Sequence, residues 1–208
     1  MDYSKKIAEF LLQSKAIKLQ PSNPFTWASG LKSPIYCDNR ITLSDIRIRT
    51  YIKQAFCDVI TENFTDFDVI AGVATGAIAQ GALVADELNK PFVYIRSAPK
   101  EHGMENLIEG KLEARQKVVI IEDLISTGGS SLKAADAIRM ADCELVGMAA
   151  IFTYGFPIAE KNFKQASVKL VTLSHYKALI DVAIETGYIN RDQLGILTKW
   201  HEAPDKWK

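Results

Sequence analysis

The sequence predicts an α/β fold, a central and mostly parallel sheet flanked by helices, and three observations predict it. Short Val- and Ile-rich runs (DVIAG at 68–72, FVYIR at 92–96, VVII at 118–121) alternate with segments whose apolar residues recur at helical spacing. The runs at 68–72 and 118–121 lead through small residues and glycines into a helical segment, the arrangement in which such sheets hold ligands beyond the carboxyl ends of their strands. The strand runs carry almost no alternating polar residues, as strands buried on both faces do not.

Element by element, residues 3–15 form a first helix, with Ile7, Leu11 and Leu12 on one side. Residues 21–40, PSNPFTWASGLKSPIYCDNR, hold three prolines and a glycine and read as loops and short strands. A helix starts near Ser44, which serves as its cap, and Ile48, Ile52, Phe56 and Ile60 recur every four residues behind it. Strand 68–72 leads to a helix at 77–89, then come strands 92–96 and 118–121 and a helix at 129–140. Strands 145–152 and 168–173 and helices near 176–186 and 191–200 complete the chain. With no repeat or low-complexity linker in 208 residues, a single domain is expected.

Lys plus Arg and Asp plus Glu number 25 each, so net charge supplies no attraction to nucleic acid or an anionic membrane, and neither is expected as a partner. Any anionic ligand must be held by locally placed donors. The opening residues mix Lys5, Lys6 and Glu9 among the apolar ones, unlike an export signal, and no stretch is long enough to span a membrane. Cys37, Cys57 and Cys143 are odd in number and far apart; free thiols in a reducing cytoplasm are the expectation.

The most informative stretch is 118–131, VVIIEDLISTGGSS. The apolar strand core ends at Glu122 and Asp123, Leu124 and Ile125 follow, and Ser126, Thr127, Gly128, Gly129 and Ser130 open a helix. Glycines allow the backbone to approach an anion, and the free N–H groups of a helix start, with Ser and Thr hydroxyls, suit a phosphate monoester. Two carboxylates beside that phosphate fit ribose hydroxyls, which donate to them, or a metal-bound shell. The spacing is neither GxxxxGK[ST] nor GxGxxG. It resembles the 5-phosphoribosyl-1-pyrophosphate (PRPP) signature of type I phosphoribosyltransferases, in which Glu122 through Ser130 would bind PRPP.

A polar, basic connection follows strand 92–96, with Arg96, Lys100 and His102 before Gly103. Its length suits a lid, and its cations suit a leaving group that gains charge in the transition state. The pattern Arg-x-x-x-Lys-x-His-Gly is similar to the catalytic loop of orotate phosphoribosyltransferases. The resemblance implies a flexible loop over about 97–112 that closes on the active site of a homodimer partner, with Arg96, Lys100 and His102 on PRPP and pyrophosphate. Residues 25–36, FTWASGLKSPIY, likewise resemble the family's pyrimidine hood, built mainly from about residues 1–40. By the same resemblance Tyr36, Cys37 and Ser126 would meet orotate, and Lys32 is the candidate cation for its carboxylate. The turn after DVIAG, with Thr75, Gly76 and Ala77, would be the pyrophosphate loop through its N–H groups.

The chain departs from the pattern in places. Ser97 stands where many relatives have Lys, Gly76 where some have Lys, Ala28 where some have a PRPP-binding Lys, and Tyr154 near where some have an orotate-binding Arg. The resemblance implies transfer of the phosphoribosyl group from PRPP to orotate, giving orotidine 5'-monophosphate and pyrophosphate in pyrimidine biosynthesis. Lys100, His102 and Asp123 would be catalytic, and Mg²⁺ the cofactor, held mainly by PRPP and water with no metal ligand set of the protein's own. A purine or uracil phosphoribosyltransferase is the rival that the departures keep open. A non-catalytic PRPP-sensing regulator would need a DNA-binding segment that the chain does not display.

Overall fold

The structure, a computed structural model, describes residues 2–26, 30–98 and 107–207. The chain begins with α1 (Ser4–Gln13) and four short strands, β1 (Ile17–Leu19), β2 (Phe25–Thr26), β3 (Lys32–Ser33) and β4 (Ile35–Cys37). A 3-10 turn, Asn39–Ser44, leads to α2 (Ile46–Asn63), β5 (Val69–Val73), α3 (Ile78–Glu87), β6 (Phe92–Ile95) and β7 (Ile108–Glu109). Then follow β8 (Lys117–Ile125), α4 (Gly129–Met140), β9 (Glu144–Thr153), α5 (Pro157–Gln165), β10 (Leu170–His175), α6 (Tyr176–Glu185) and α7 (Arg191–Glu202).

Among the described residues the central sheet has the order β10-β9-β8-β5-β6-β7, parallel throughout except for the edge strand β7, which runs against β6. Alternation along the strands splits the core in two. Val69, Ala71, Val118, Ile120, Met148 and Ala150 belong to the cluster containing Ile138 of α4 and Phe163 of α5. Ile70, Val119, Ile121, Ala149 and Ile151 join Ile7 and Leu11 of α1, Phe56 of α2 and Trp200 of α7. Each fully buried isoleucine or leucine contributes on the order of 2 kcal/mol. Layering of this kind leaves the carboxyl ends of β5 and β8, at the middle of the sheet, free of helix cover.

The expected α/β architecture is the one observed, with local differences. The cap of α2 is Asp45 rather than Ser44: its carboxylate accepts from the N–H groups of Arg47 and Ile48 at 2.9 and 3.2 Å. A carboxylate serves two donors at once and also complements the positive end of the helix, which a hydroxyl cannot. Strand β8 does not stop at Glu122 and Asp123 but runs to Ile125, because Leu124 and Ile125 pair with Phe152 and Thr153 of β9. Helix α5 was not expected; it opens on Pro157 in its first turn, where the missing N–H costs nothing. Within the stretch read as a loop at 97–112, Ile108 and Glu109 pair with Ile95 and Tyr94. Helix α1 packs on α6 and β10, so the hood consists of β1–β4, two antiparallel pairs beside the main sheet.

One close packing contact is testable. A Cβ added at Gly147 of β9 would overlap the ring of Phe64 and lie 3.0 Å from the Lys169 carbonyl oxygen. Gly147→Ala is therefore expected to destabilise the fold by about 2 kcal/mol, a fall of roughly 5 °C in Tm for a chain of this size. Urea and thermal melts measure it.

Candidate functional site

The turn from β8 into α4 is built for an anion. Gly128 caps α4 in the left-handed region, φ +83°, and a Cβ there would stand 2.7 Å from the Phe163 ring. No side chain caps the helix, and its first internal bond runs from the Leu132 N–H to the Gly128 carbonyl at 2.9 Å. The N–H groups of Gly129, Ser130 and Ser131 thus face outward at the positive end of the helix. From α5, Asn162 donates its amide N–H to the Thr127 carbonyl at 3.0 Å. That turns the carbonyl to one side and, across a trans peptide, the Gly128 N–H to the other.

The two acids occupy successive positions in β8, and both line the same cleft, near enough to each other for Asp123 to act on the Glu122 carboxyl. Glu122 is 4% exposed and looks toward α4, accepting from the Ser131 hydroxyl and the Asp123 N–H, both at 2.9 Å. Burial first, and then Asp123 beside it, push its carboxyl up to about 8. Asp123 faces the β5–α3 turn. A Cβ on Gly76 would overlap its carboxylate, with Oδ1 at 2.8 Å as the least crowded of the three nearest atoms. The glycine at this position, read as a departure, is what leaves room for Asp123.

The β5–α3 turn begins with a cis peptide between Ala74 and Thr75. The Ala77 N–H donates to the Val73 carbonyl at 3.0 Å, and Ala77 is buried. Ala77 is therefore a correction to the pyrophosphate-loop reading: its donor is spent inside the turn, and Thr75 and Gly76 present the loop's face. Ile125 is a second correction among the PRPP contacts. It is fully buried in the core, and its carbonyl accepts from the Tyr154 N–H at 3.0 Å.

A cleft of about 730 Å³ unites Thr75, Gly76, Arg96, Glu122, Asp123, Leu124 and the turn Ser126 to Ser130. That volume is ample for a sugar bearing a phosphate and a pyrophosphate. Arg96 reaches Glu109 of β7 at 3.5 Å, which aligns the guanidinium along the sheet edge. Lys133 of α4 also lines the cleft and was not anticipated. Lys100 and His102, and the departure at Ala28, lie outside the described residues.

The hood residues stand apart from that cleft. Lys32 donates to the Thr26 hydroxyl at 2.7 Å across the β2–β3 pair, and Tyr36 stacks obliquely on Phe25 at 5.6 Å. Cys37 connects indirectly: its thiol donates to Asn39 Oδ1 at 3.4 Å, and Asn39 Nδ2 donates to the Asp123 carbonyl at 2.6 Å. Burial, with Asp123 and Asp38 adding to it, pushes the Cys37 thiol well up. All three cysteines are free thiols. Tyr154, 2% exposed, does not reach into the cleft; it stacks on Phe156 at 5.3 Å and meets Trp200 edge-on at 5.7 Å. His175 caps α6 by accepting from the Ala178 N–H, and His201 pairs with the Tyr154 carbonyl at 2.6 Å.

A glycine-led helix start with outward N–H groups, an acidic pair and a second small-residue turn meeting at the carboxyl edge of a parallel sheet fit a type I phosphoribosyltransferase, and the phosphoribosyl transferase domain family matches residues 40–185. An orotate phosphoribosyltransferase of Porphyromonas gingivalis is 62% identical over 203 residues, covering 98% of this chain and 97% of that protein. The chain belongs to the orotate phosphoribosyltransferase family. Among solved structures, the orotate phosphoribosyltransferase of Aeropyrum pernix superposes with a TM-score of 0.76 at 24% identity, over 88% of this chain and 99% of that one. The adenine phosphoribosyltransferase of Thermoanaerobacter pseudethanolicus superposes at 0.60 with 22% identity, over 68% and 88%. The fold is thus shared across acceptor bases. Among the described residues no helix is long and apolar enough to cross a membrane.

Proposed function

We propose that the chain transfers the 5-phosphoribosyl group of PRPP to N1 of orotate, releasing pyrophosphate and forming orotidine 5'-monophosphate, a step of pyrimidine biosynthesis. The observation that carries this reading is the single cleft in which the turn at 126–130, the Glu122–Asp123 pair and the turn at Thr75–Gly76 meet. The N–H groups of Gly129 and Ser130 and the hydroxyls of Thr127 and Ser130 hold the 5'-phosphate. Glu122 and Asp123 accept from ribose hydroxyls and face the positive charge that develops on the ribose as the bond to pyrophosphate breaks. The Thr75 and Gly76 backbone and Arg96 receive the departing pyrophosphate. Lys100 and His102 come over it with the loop, His102 as general acid. Asp123 is also a proton carrier.

Among the described residues no group of three or more His, Cys, Asp or Glu gathers to hold a metal ion. The cleft's two carboxylates fit, through bound water, a magnesium ion held mainly by PRPP's own oxygens. That ion, when bound, offsets the charge of the pyrophosphate. We further infer a homodimer whose loop around Lys100 and His102 reaches the partner's cleft, acting in the cytoplasm.

The test is to incubate the protein with PRPP, Mg²⁺ and, in separate reactions, orotate, uracil, adenine or hypoxanthine, and to follow pyrophosphate. Release with orotate is expected; release with a purine and none with orotate overturns the reading. Lys100→Ala is expected to lower kcat by about 100-fold, because the cation acts late on the leaving group, while PRPP affinity changes less than about threefold. Single-turnover kinetics and equilibrium titration separate the two.

A further inference from the structure

We propose that Asn39 is a positioning residue that ties the hood to the ribose site and sets the distance between the acceptor base and the sugar carbon it attacks. The inference rests on the phosphoribosyl-transfer reading above.

Asn39 is 2% exposed and stands at the start of the 3-10 turn, two residues after the hood strand β4. Each polar atom of its side chain is committed. Nδ2 donates to the Asp123 carbonyl at 2.6 Å, a bond across 84 residues of chain, and Oδ1 accepts from the Cys37 thiol at 3.4 Å. Its own carbonyl accepts from the Thr42 hydroxyl at 2.6 Å, which fixes the backbone from which the amide projects. Asp38 caps the same turn and pairs with Arg40 at 2.7 Å, so the turn is held from outside as well.

One line of contacts therefore runs from Cys37, a candidate base contact, through Asn39 to the main chain of Asp123, whose carboxylate lies against Gly76. Among the described residues the hood's short strands pair only with one another. A rigid amide between hood and β8 transmits a fixed spacing; a 1 Å error in that spacing is enough to cost a reaction about 100-fold. Asn39 touches no reacting atom in this scheme. It acts through Asp123 and Cys37.

Asn39→Asp keeps the shape and removes the donor, and only its protonated form can donate to the Asp123 carbonyl as the amide does. The titratable groups bonded to Asn39 or next to it are Cys37, Asp38 and Arg40 from its own segment and Asp123 from β8, whose N–H donates to Glu122 in turn. The wild type carries all of them too, so the measured quantity is the ratio of variant to wild-type kcat across pH. At pH 8.5, taken as about two units above the pKa of an ordinary histidine, kcat is expected to fall at least about tenfold. The ratio should climb several-fold by about pH 5.5, as the introduced carboxyl takes up its proton. PRPP affinity without orotate should change less than about threefold, since the phosphate turn does not depend on the hood. Asn39→Ala, should Asn39→Asp fail to fold, must show lowered kcat with retained PRPP affinity and a ratio that does not vary with pH. Unchanged kcat in either variant overturns the proposal, as does a pH-independent Asn39→Asp ratio or the unfolding of both variants. A wild type that releases no pyrophosphate with orotate instead brings down the reading on which the inference rests.

Discussion

Gly128→Ala is expected to weaken PRPP binding by about 100-fold or more and to cost the fold about 3 kcal/mol. Two separate penalties combine. The left-handed conformation at φ +83° charges any residue with a Cβ about 1–2 kcal/mol, and the new methyl would lie 2.7 Å from the Phe163 ring. Phe163 is buried in the core of the α4–α5 face and cannot retreat freely, so the turn yields instead. As it yields, the N–H groups of Gly129 and Ser130 lose their common focus, and each charge-assisted bond to a phosphate is worth about 1.5–3 kcal/mol. Gly187→Ala separates the two penalties. It has nearly the same backbone angle, φ +69°, but nothing within 4 Å of the added carbon and no place in the cleft. It should lower Tm modestly and leave PRPP affinity unchanged. Calorimetric titration with PRPP and urea melts of both variants give the answer; full affinity in Gly128→Ala would sink the assignment of this turn to the 5'-phosphate.

The phosphate turn was legible in the sequence because its chemistry is local: a buried strand, two acids and two glycines within a dozen residues need no distant partner to be read. The order of strands and helices was legible for a similar reason, since periodicity reports burial directly. What stayed hidden depends on contacts between distant segments. Asn39 braces the acidic strand from 84 residues away and Asn162 the turn from 35, and no sequence motif singled out either. Ile125 and Ala77 stand inside motif-like runs, yet the strand pairing of β8 and the Val73 carbonyl claim them for the scaffold. Tyr154 follows a strand at the carboxyl edge of the sheet, the place for a binding residue, but the aromatic cluster with Phe156 and Trp200 draws it inward. Ser44 was read as the cap of α2, but the adjacent Asp45 is the one whose carboxylate reaches two N–H groups.

Glu122→Gln should make the protein more stable and less active, with both effects depending on pH in a predictable direction. Burial and the neighbouring Asp123 raise the Glu122 carboxyl from its ordinary 4.5 to about 8. The folded chain therefore holds this proton over the window from about pH 4.5 to about pH 8, where the unfolded chain has released it. Fewer protons on the unfolded state mean that stability falls as pH rises through that window, and levels off above it. The total loss is on the order of a few kcal/mol. Glutamine has nearly the same shape: its carbonyl accepts from the Asp123 N–H, and its amide faces the Ser131 hydroxyl, which turns to accept. It has no proton to lose, so the Gln variant should match the wild type near pH 5 and exceed it by about 1–3 kcal/mol at pH 8.5. Activity should move the other way. Above about pH 8, where the wild-type carboxyl is ionised, an amide places no such negative charge beside the ribose as the bond to pyrophosphate breaks, and kcat/KM should drop by about 100-fold there, the gap closing toward lower pH. Urea melts and initial rates at the two pH values measure both. A Gln variant no more stable than wild type at high pH would show that Glu122 ionises there without cost. A stable variant with full activity would remove Glu122 from the ribose site and leave it as a partner of Ser131 alone.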